Sequence, residues 1–248
     1  GALALGGAVL YIAAAWLLPL ALHINQGLAQ CGFTLCKGNI MASNPELCLS
    51  QQEWLNRFDR WIEQGNPEDL LKASIFFDLR ALAGNADLLI PLKELDRVKA
   101  AAIPRFIKLL AENALSSRVP LNWLGAIEPT ETDGQEIIDL KLQGTALMVD
   151  AARIYSLAHG IEAVNTRERL AAVGHALNVP EAESAAWITA FEFLQTQRLA
   201  VQISETTIEG NPNTIDIKQL NSVDRSILKE SLLKVRALQQ HLQLDYVR

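Results

Sequence analysis

The stretch Leu35-Cys36-Lys37-Gly38-Asn39-Ile40-Met41-Ala42-Ser43-Asn44-Pro45 decides how the first part of the chain is read. It sets a thiol, a cation, a glycine, two asparagines and a methionine between apolar flanks. Neither a plain core strand nor a solvated loop needs that mixture. Phe33 to Met41 reads as a strand, with Gly38 weakening or bulging it. Asn44-Pro45 is a turn signal. With strands upstream of it, this segment makes the fold class α+β, mostly α.

Upstream, Gly1 to Leu22 contains only Gly, Ala, Val, Leu, Ile, Tyr, Trp and Pro. Such a run meets the length criterion for a membrane span. It is not uniform, however, and breaks at Gly6-Gly7 and at Pro19. GALALGG and AVLYI each read as a short buried strand. AAAWLLPLALHINQGLAQ reads as a helix with Trp16, Leu20, Ile24 and Leu28 on one face. The expectation is therefore a small sheet at the N-terminus, with no membrane partner.

Downstream, helical periodicity dominates. Ser50 with Glu53 forms a capping box, and Trp54, Phe58, Trp61 and Ile62 make one stripe. Asn66-Pro67-Glu68-Asp69 opens a helix read as Leu70 to Ala83, and Asp87 to Ala114 reads as further helix with a break near Pro104. Trp123 to Gly134 reads as irregular, and Asp139 to Gly160 as one long helix. Asn165 caps the next helix, which Asn178-Val179-Pro180 ends. Glu181 to Val201 is helical and Ser204 to Thr214 is a loop. Ser222 is read as the cap of a last helix, in which Ile227, Leu228, Leu232, Val235, Leu238 and Leu242 repeat at threes and fours. The expected domains are 1–115, with the small sheet, and 116–248, an antiparallel helical bundle.

Half of the 248 residues are hydrophobic, enough for a sizeable core. The net charge of −6 is spread over interspersed acids and bases, which argues against a nucleic-acid partner. Cys31, Cys36 and Cys48 make an odd count without a paired framework, which fits a reducing, cytoplasmic setting.

Several polar residues stand out as candidates. Lys37 beside Gly38 and Asn39 suits contact with a triphosphate, or simply a surface lysine at a strand end. Asp78 and Arg80 lie in an otherwise apolar helix, two positions apart and so on different faces. They read either as a structural ion pair or as groups that orient a nucleotide pocket. Lys141, Arg153 and Arg169, with Asp139, read as a recognition set for a phosphate or an acidic protein partner, or as a solvated helix face.

The segments CKGNIMASNP, SIFFDLRALAGN, IDLKLQG, AARIYSLAHGI, NTRERL and NSVDRSILKESLLKVRALQ, in that order, carry a family resemblance. Together they resemble the bacterial nucleotidyltransferases related to the protein-PII uridylyltransferases. The resemblance implies a nucleotidyltransferase domain followed by a helical substrate-binding domain. It implies transfer of a nucleoside monophosphate from a nucleoside triphosphate to an acceptor, a regulatory protein in signal transduction, with magnesium as cofactor. Gly6 and Gly7 would stand at the phosphate-holding turn with Lys37, Gly38 and Asn39. Asp78, Arg80, Lys141, Arg153 and Arg169 would line the pocket or bind the substrate. In such proteins an Asp-x-Asp pair holds the magnesium ions. Its place falls between Gly7 and Ala8, and no Asp precedes Asp59, so no catalytic residue is assigned. The competing expectation is a non-catalytic helical module that senses a nucleotide or docks a protein.

Overall fold

A computed structural model gives the fold. It describes residues 2–65, 67–204, 208 and 210–248, leaving out the side chains of residues 2–13, 67–68 and 71–73. The chain forms two compact units, Gly1–Phe58 and Asp59–Arg248.

In the first unit, helix α1 spans Ala2–Gln30, with Pro19 inside it. The two strands expected over GALALGG and AVLYI are thus one continuous helical backbone, and Gly6 and Gly7 lie within it. Phe33 to Met41 is irregular rather than a strand, with turns at Lys37-Gly38. The physical reason is the same for all three segments. A strand needs a neighbour to take its backbone hydrogen bonds, and no strand lies in this unit among the described residues. Ala- and Leu-rich sequence satisfies its own backbone as a helix instead. No described helix is long and apolar enough to cross a membrane. Helix α2, Gln51–Gln64, begins at the expected capping box. Ser50 Oγ accepts from the Glu53 amide at 3.2 Å, and Glu53 Oε2 accepts from the Ser50 amide at 2.8 Å.

The second unit is helical around a small sheet. Its helices are α3 (Pro67–Phe76), α4 (Ile90–Leu95), α5 (Pro104–Ala114), α6 (Ala146–Ala158), α7 (Thr166–Ala176), α8 (Glu181–Ile203) and α9 (Ser222–Tyr246). Helix α6 packs on α5, α7 and α9, and α8 packs on α7 and α9. Tyr155, Met148, Leu170, Leu194, Trp187, Leu228 and Leu232 fill the space between them, each essentially buried.

The fold is α+β and mostly α, but its sheet lies here and not at the N-terminus. Strands β1 (Thr130–Thr132), β2 (Gln135–Asp139) and β3 (Thr214–Asp216) form an antiparallel sheet with β2 central. Thr132 pairs with Gln135 across the two-residue turn Asp133-Gly134, and both turn residues have positive φ. That is the primed turn an Asp-Gly dipeptide favours. The stretch read as irregular thus ends in a hairpin, and the Ser204–Thr214 loop ends in the edge strand that covers β2.

The helix expected over Asp139–Gly160 starts late. Asp139 closes β2, and its Oδ1 accepts from the Lys141 and Leu142 amides at 2.8 Å each. These groups cap the turn that follows. Lys141–Thr145 is then a wide π-type turn before α6. A second π segment, Asp96–Ala100, continues α4, and Pro104 opens α5 after a break. Helix α3 stops at Phe76 rather than Ala83. Asn165 caps α7 as expected, while Asn221, not Ser222, caps α9 by accepting from the Asp224 amide at 2.8 Å.

Helices α7 and α8 approach closely at Gly174. A Cβ placed there would lie 2.4 Å from Ser184 Cβ. Gly to Ala in a helix interior ordinarily gains about 1 kcal/mol, but here overpacking costs about 1–3 kcal/mol. Gly174→Ala is therefore expected to lower the unfolding free energy in urea, and Ser184→Gly to restore it. A net gain in the single variant would show that the two helices lie further apart.

Candidate functional site

The second unit brings three of the singled-out residues to one place from three segments. Asp78 follows the end of α3, Arg153 sits in α6, and Arg169 sits in the first turns of α7. Asp78 Oδ2 accepts from Arg153 Nε at 3.0 Å and Nη2 at 2.6 Å. Its Oδ1 meets Arg169 Nη1 at 2.6 Å, an ion-pair distance without hydrogen-bond alignment. Arg153 Nη1 also reaches Asp150 Oδ1 at 2.9 Å, and Arg169 Nε donates to the Ala163 carbonyl at 2.7 Å. One carboxylate thus joins two buried guanidinium groups, the charge-assisted arrangement to which arginine is best suited. Burial pushes the Asp150 carboxyl above its usual range, with Arg153 pulling it back.

Arg169 has a second role. With Phe77, Lys93, Asp96, Arg97 and Ser156 it lines a cavity of about 390 Å³. Arg169 is 3% exposed, Ser156 1% and Asp96 8%. Asp96 Oδ1 and Ser156 Oγ are buried without a hydrogen-bond partner among the described residues. Buried polar atoms are almost always paired, so two such atoms on residues that line one cavity are a specific signal. Burial pushes the Asp96 carboxyl up to about 8, reinforced by the nearby Asp78 charge and opposed by Arg169. At neutral pH it is mostly protonated and able to donate as well as accept. The wide turn beginning at Asp96 places it here. Such turns are frequent at functional positions.

The remaining candidates lie elsewhere. Arg80 is exposed and borders a neighbouring hollow of about 320 Å³ with Asp78, Asn165, Thr166 and Gln195. Lys141 is exposed on the turn capped by Asp139. In the first unit, Lys37, Gly38 and Asn39 form an exposed turn. Asn39 has φ 54°, and Asn44 Nδ2 donates to its carbonyl at 3.0 Å. Gly6 and Gly7 fall in α1.

Asp96, Ser156, Lys93 and Arg97 were not legible as site residues in the sequence. Asp96 lies in the charged run KELDRVK, which gave it no distinguishing signal, while Ser156 is a lone hydroxyl in apolar helical surroundings, inside the AARIYSLAHGI segment.

The described residues do not fit a magnesium pair. No group of three or more His, Cys, Asp or Glu side chains converges among the described residues, and two-metal chemistry needs shared carboxylates.

Residues 104–246 match the family model described as Putative nucleotidyltransferase substrate binding domain, and residues 3–68 match that described as Putative nucleotidyltransferase DUF294. Arg153, Arg169 and Ser156 fall in the first of these matches. Asp78 and Asp96 lie between the two. No curated protein and no solved structure matches the chain.

Proposed function

The chain belongs to the Putative nucleotidyltransferase substrate binding domain family, and from that membership we propose that it supports nucleotidyl transfer to a protein acceptor in the cytoplasm. In the reaction an acceptor hydroxyl oxygen bonds to the α-phosphorus of a nucleoside triphosphate. The α–β phosphoanhydride breaks, pyrophosphate leaves, and the hydroxyl gives up its proton. The helical unit is the part that holds substrate. The observation that carries this reading is the succession of the two family matches along the chain, nucleotidyltransferase first and substrate binding second. Magnesium belongs to the proposal through the resemblance, and its carboxylate ligands are not among the residues described above.

The test is transfer of label. The purified chain is incubated with magnesium, each of the four α-labelled nucleoside triphosphates in turn, and a PII-type acceptor. Label on the acceptor, dependent on the chain, supports transfer. An unlabelled acceptor that nevertheless binds the chain in calorimetry selects the second reading, a non-catalytic nucleotide-sensing or protein-docking module. One observation favours that second reading: no Asp precedes Asp59 in the nucleotidyltransferase-like segment.

A further inference from the structure

The cavity beside Arg169 is built from two sides. The wall from α4 and the turn after it supplies Lys93, Asp96 and Arg97, and the wall from the end of α6 to α7 supplies Ser156, Leu157, Ile161 and Arg169. Its volume suits a small molecule. Ile90, Leu157, Ile161 and Val164 give it apolar surface. Asp96 and Ser156 line it too, and each holds a buried oxygen, Oδ1 and Oγ, without a hydrogen-bond partner among the described residues.

We propose that this cavity binds a nucleoside monophosphate, with the base against Asp96 and Ser156 and the phosphate at Lys93 and Arg97. A neutral carboxyl offers a donor beside an acceptor, which complements the adjacent acceptor and donor on a nucleobase edge. The elevated proton affinity of Asp96 keeps it in that form at neutral pH. The serine hydroxyl can serve either sense. Lys93 and Arg97 are four positions apart on one helical run, so they share a face. Lys93 makes no ion pair among the described residues, and Arg97 has only a 3.9 Å contact with Glu162. Glu94 and Glu162 also border the cavity. Their negative charge sets a limit on the anion, favouring one phosphate over three.

The proposal rests on the nucleotide-sensing reading and not on transfer. Binding is therefore measured without magnesium and without acceptor, by isothermal calorimetry near neutral pH. The probes are the four nucleoside monophosphates, their parent nucleosides and inorganic phosphate. At least one monophosphate is expected to bind with Kd below roughly 100 μM, and its nucleoside and inorganic phosphate at least about tenfold more weakly. The double variant Lys93→Ala with Arg97→Ala should weaken the monophosphate about tenfold. Ile161→Trp should fill the cavity from its half-buried edge and abolish binding, while far-UV circular dichroism and the unfolding transition stay unchanged. The proposal is overturned if no monophosphate binds in that range, if inorganic phosphate binds as tightly, or if Ile161→Trp binds undiminished. Failure of label transfer leaves it standing, and success of label transfer does not rescue it.

Discussion

Asp78→Ala is expected to lower the unfolding free energy by about 3 kcal/mol, read from the urea midpoint at constant m-value. The side chains of Arg153 and Arg169 are only 11% and 4% exposed, and both aim at this one carboxylate. Removing it leaves two buried guanidinium groups without their shared counter-charge. Breaking a buried pair from one side typically costs about 3–5 kcal/mol. The lower end applies because Asp78 is itself 27% exposed and Arg153 keeps Asp150. A double variant, Asp78→Leu with Arg169→Leu, should cost less than the sum of the two single changes, since it removes opposed charges together. Asp78 also adds to the upward shift of Asp96. In Asp78→Ala, Asp96 should therefore ionise at lower pH and partly take over the partnership with Arg169. A loss under about 0.5 kcal/mol would mean that the cluster is solvated and contributes as an ordinary surface pair does.

Asp96→Asn is expected to stabilise the protein, and increasingly so as pH rises. The folded-state value of about 8 stands above the ordinary 3.8. Below 3.8 the carboxyl is neutral in both states and contributes no penalty. Between 3.8 and about 8 the unfolded chain releases the proton while the folded chain retains it, so stability falls with rising pH. Above about 8 the folded protein holds a buried charge and the loss levels off. Asparagine has no proton to lose and lacks this slope. The variant should match the wild type near the low end of the window and exceed it by several kcal/mol, in order of magnitude, at the high end. Paired urea titrations across the window isolate the effect, because every other carboxylate is common to both proteins. A difference that stays flat with pH would place Asp96 in water.

Asp78 and Asp96 differ in how much their local sequence marks them. Asp78 stood out in the sequence as a charge in an apolar helical run, and Arg153 and Arg169 as members of a recognition set for a phosphate or an acidic partner. Their convergence did not, because the three segments lie far apart along the chain and meet only when α3, α6 and α7 pack. Asp96 carried no such mark. Its significance comes from burial by elements that the sequence around it does not contain.

The same division holds for the fold. The capping box at Ser50, the cap at Asn165, the opening at Pro67 and the heptad-like run of α9 were determined locally. Each depends on residues three or four positions apart, and that distance is fixed by helix geometry alone. The Asp133-Gly134 hairpin was equally local and was available to be read. The sheet's position was not. Ile138 pairs with Ile215, which arrives only after α6, α7 and α8 have intervened, and a strand exists only where such a partner arrives. Phe33 to Met41 has strand-like residues and no partner strand among the described residues, so it remains irregular. By itself the sequence determined the caps at Ser50 and Asn165, the helical character of the second unit and the family resemblance. Only the tertiary structure decided which distant strands pair, which charges share one carboxylate and which polar atoms border a cavity, because these depend on contacts between segments that no local pattern encodes.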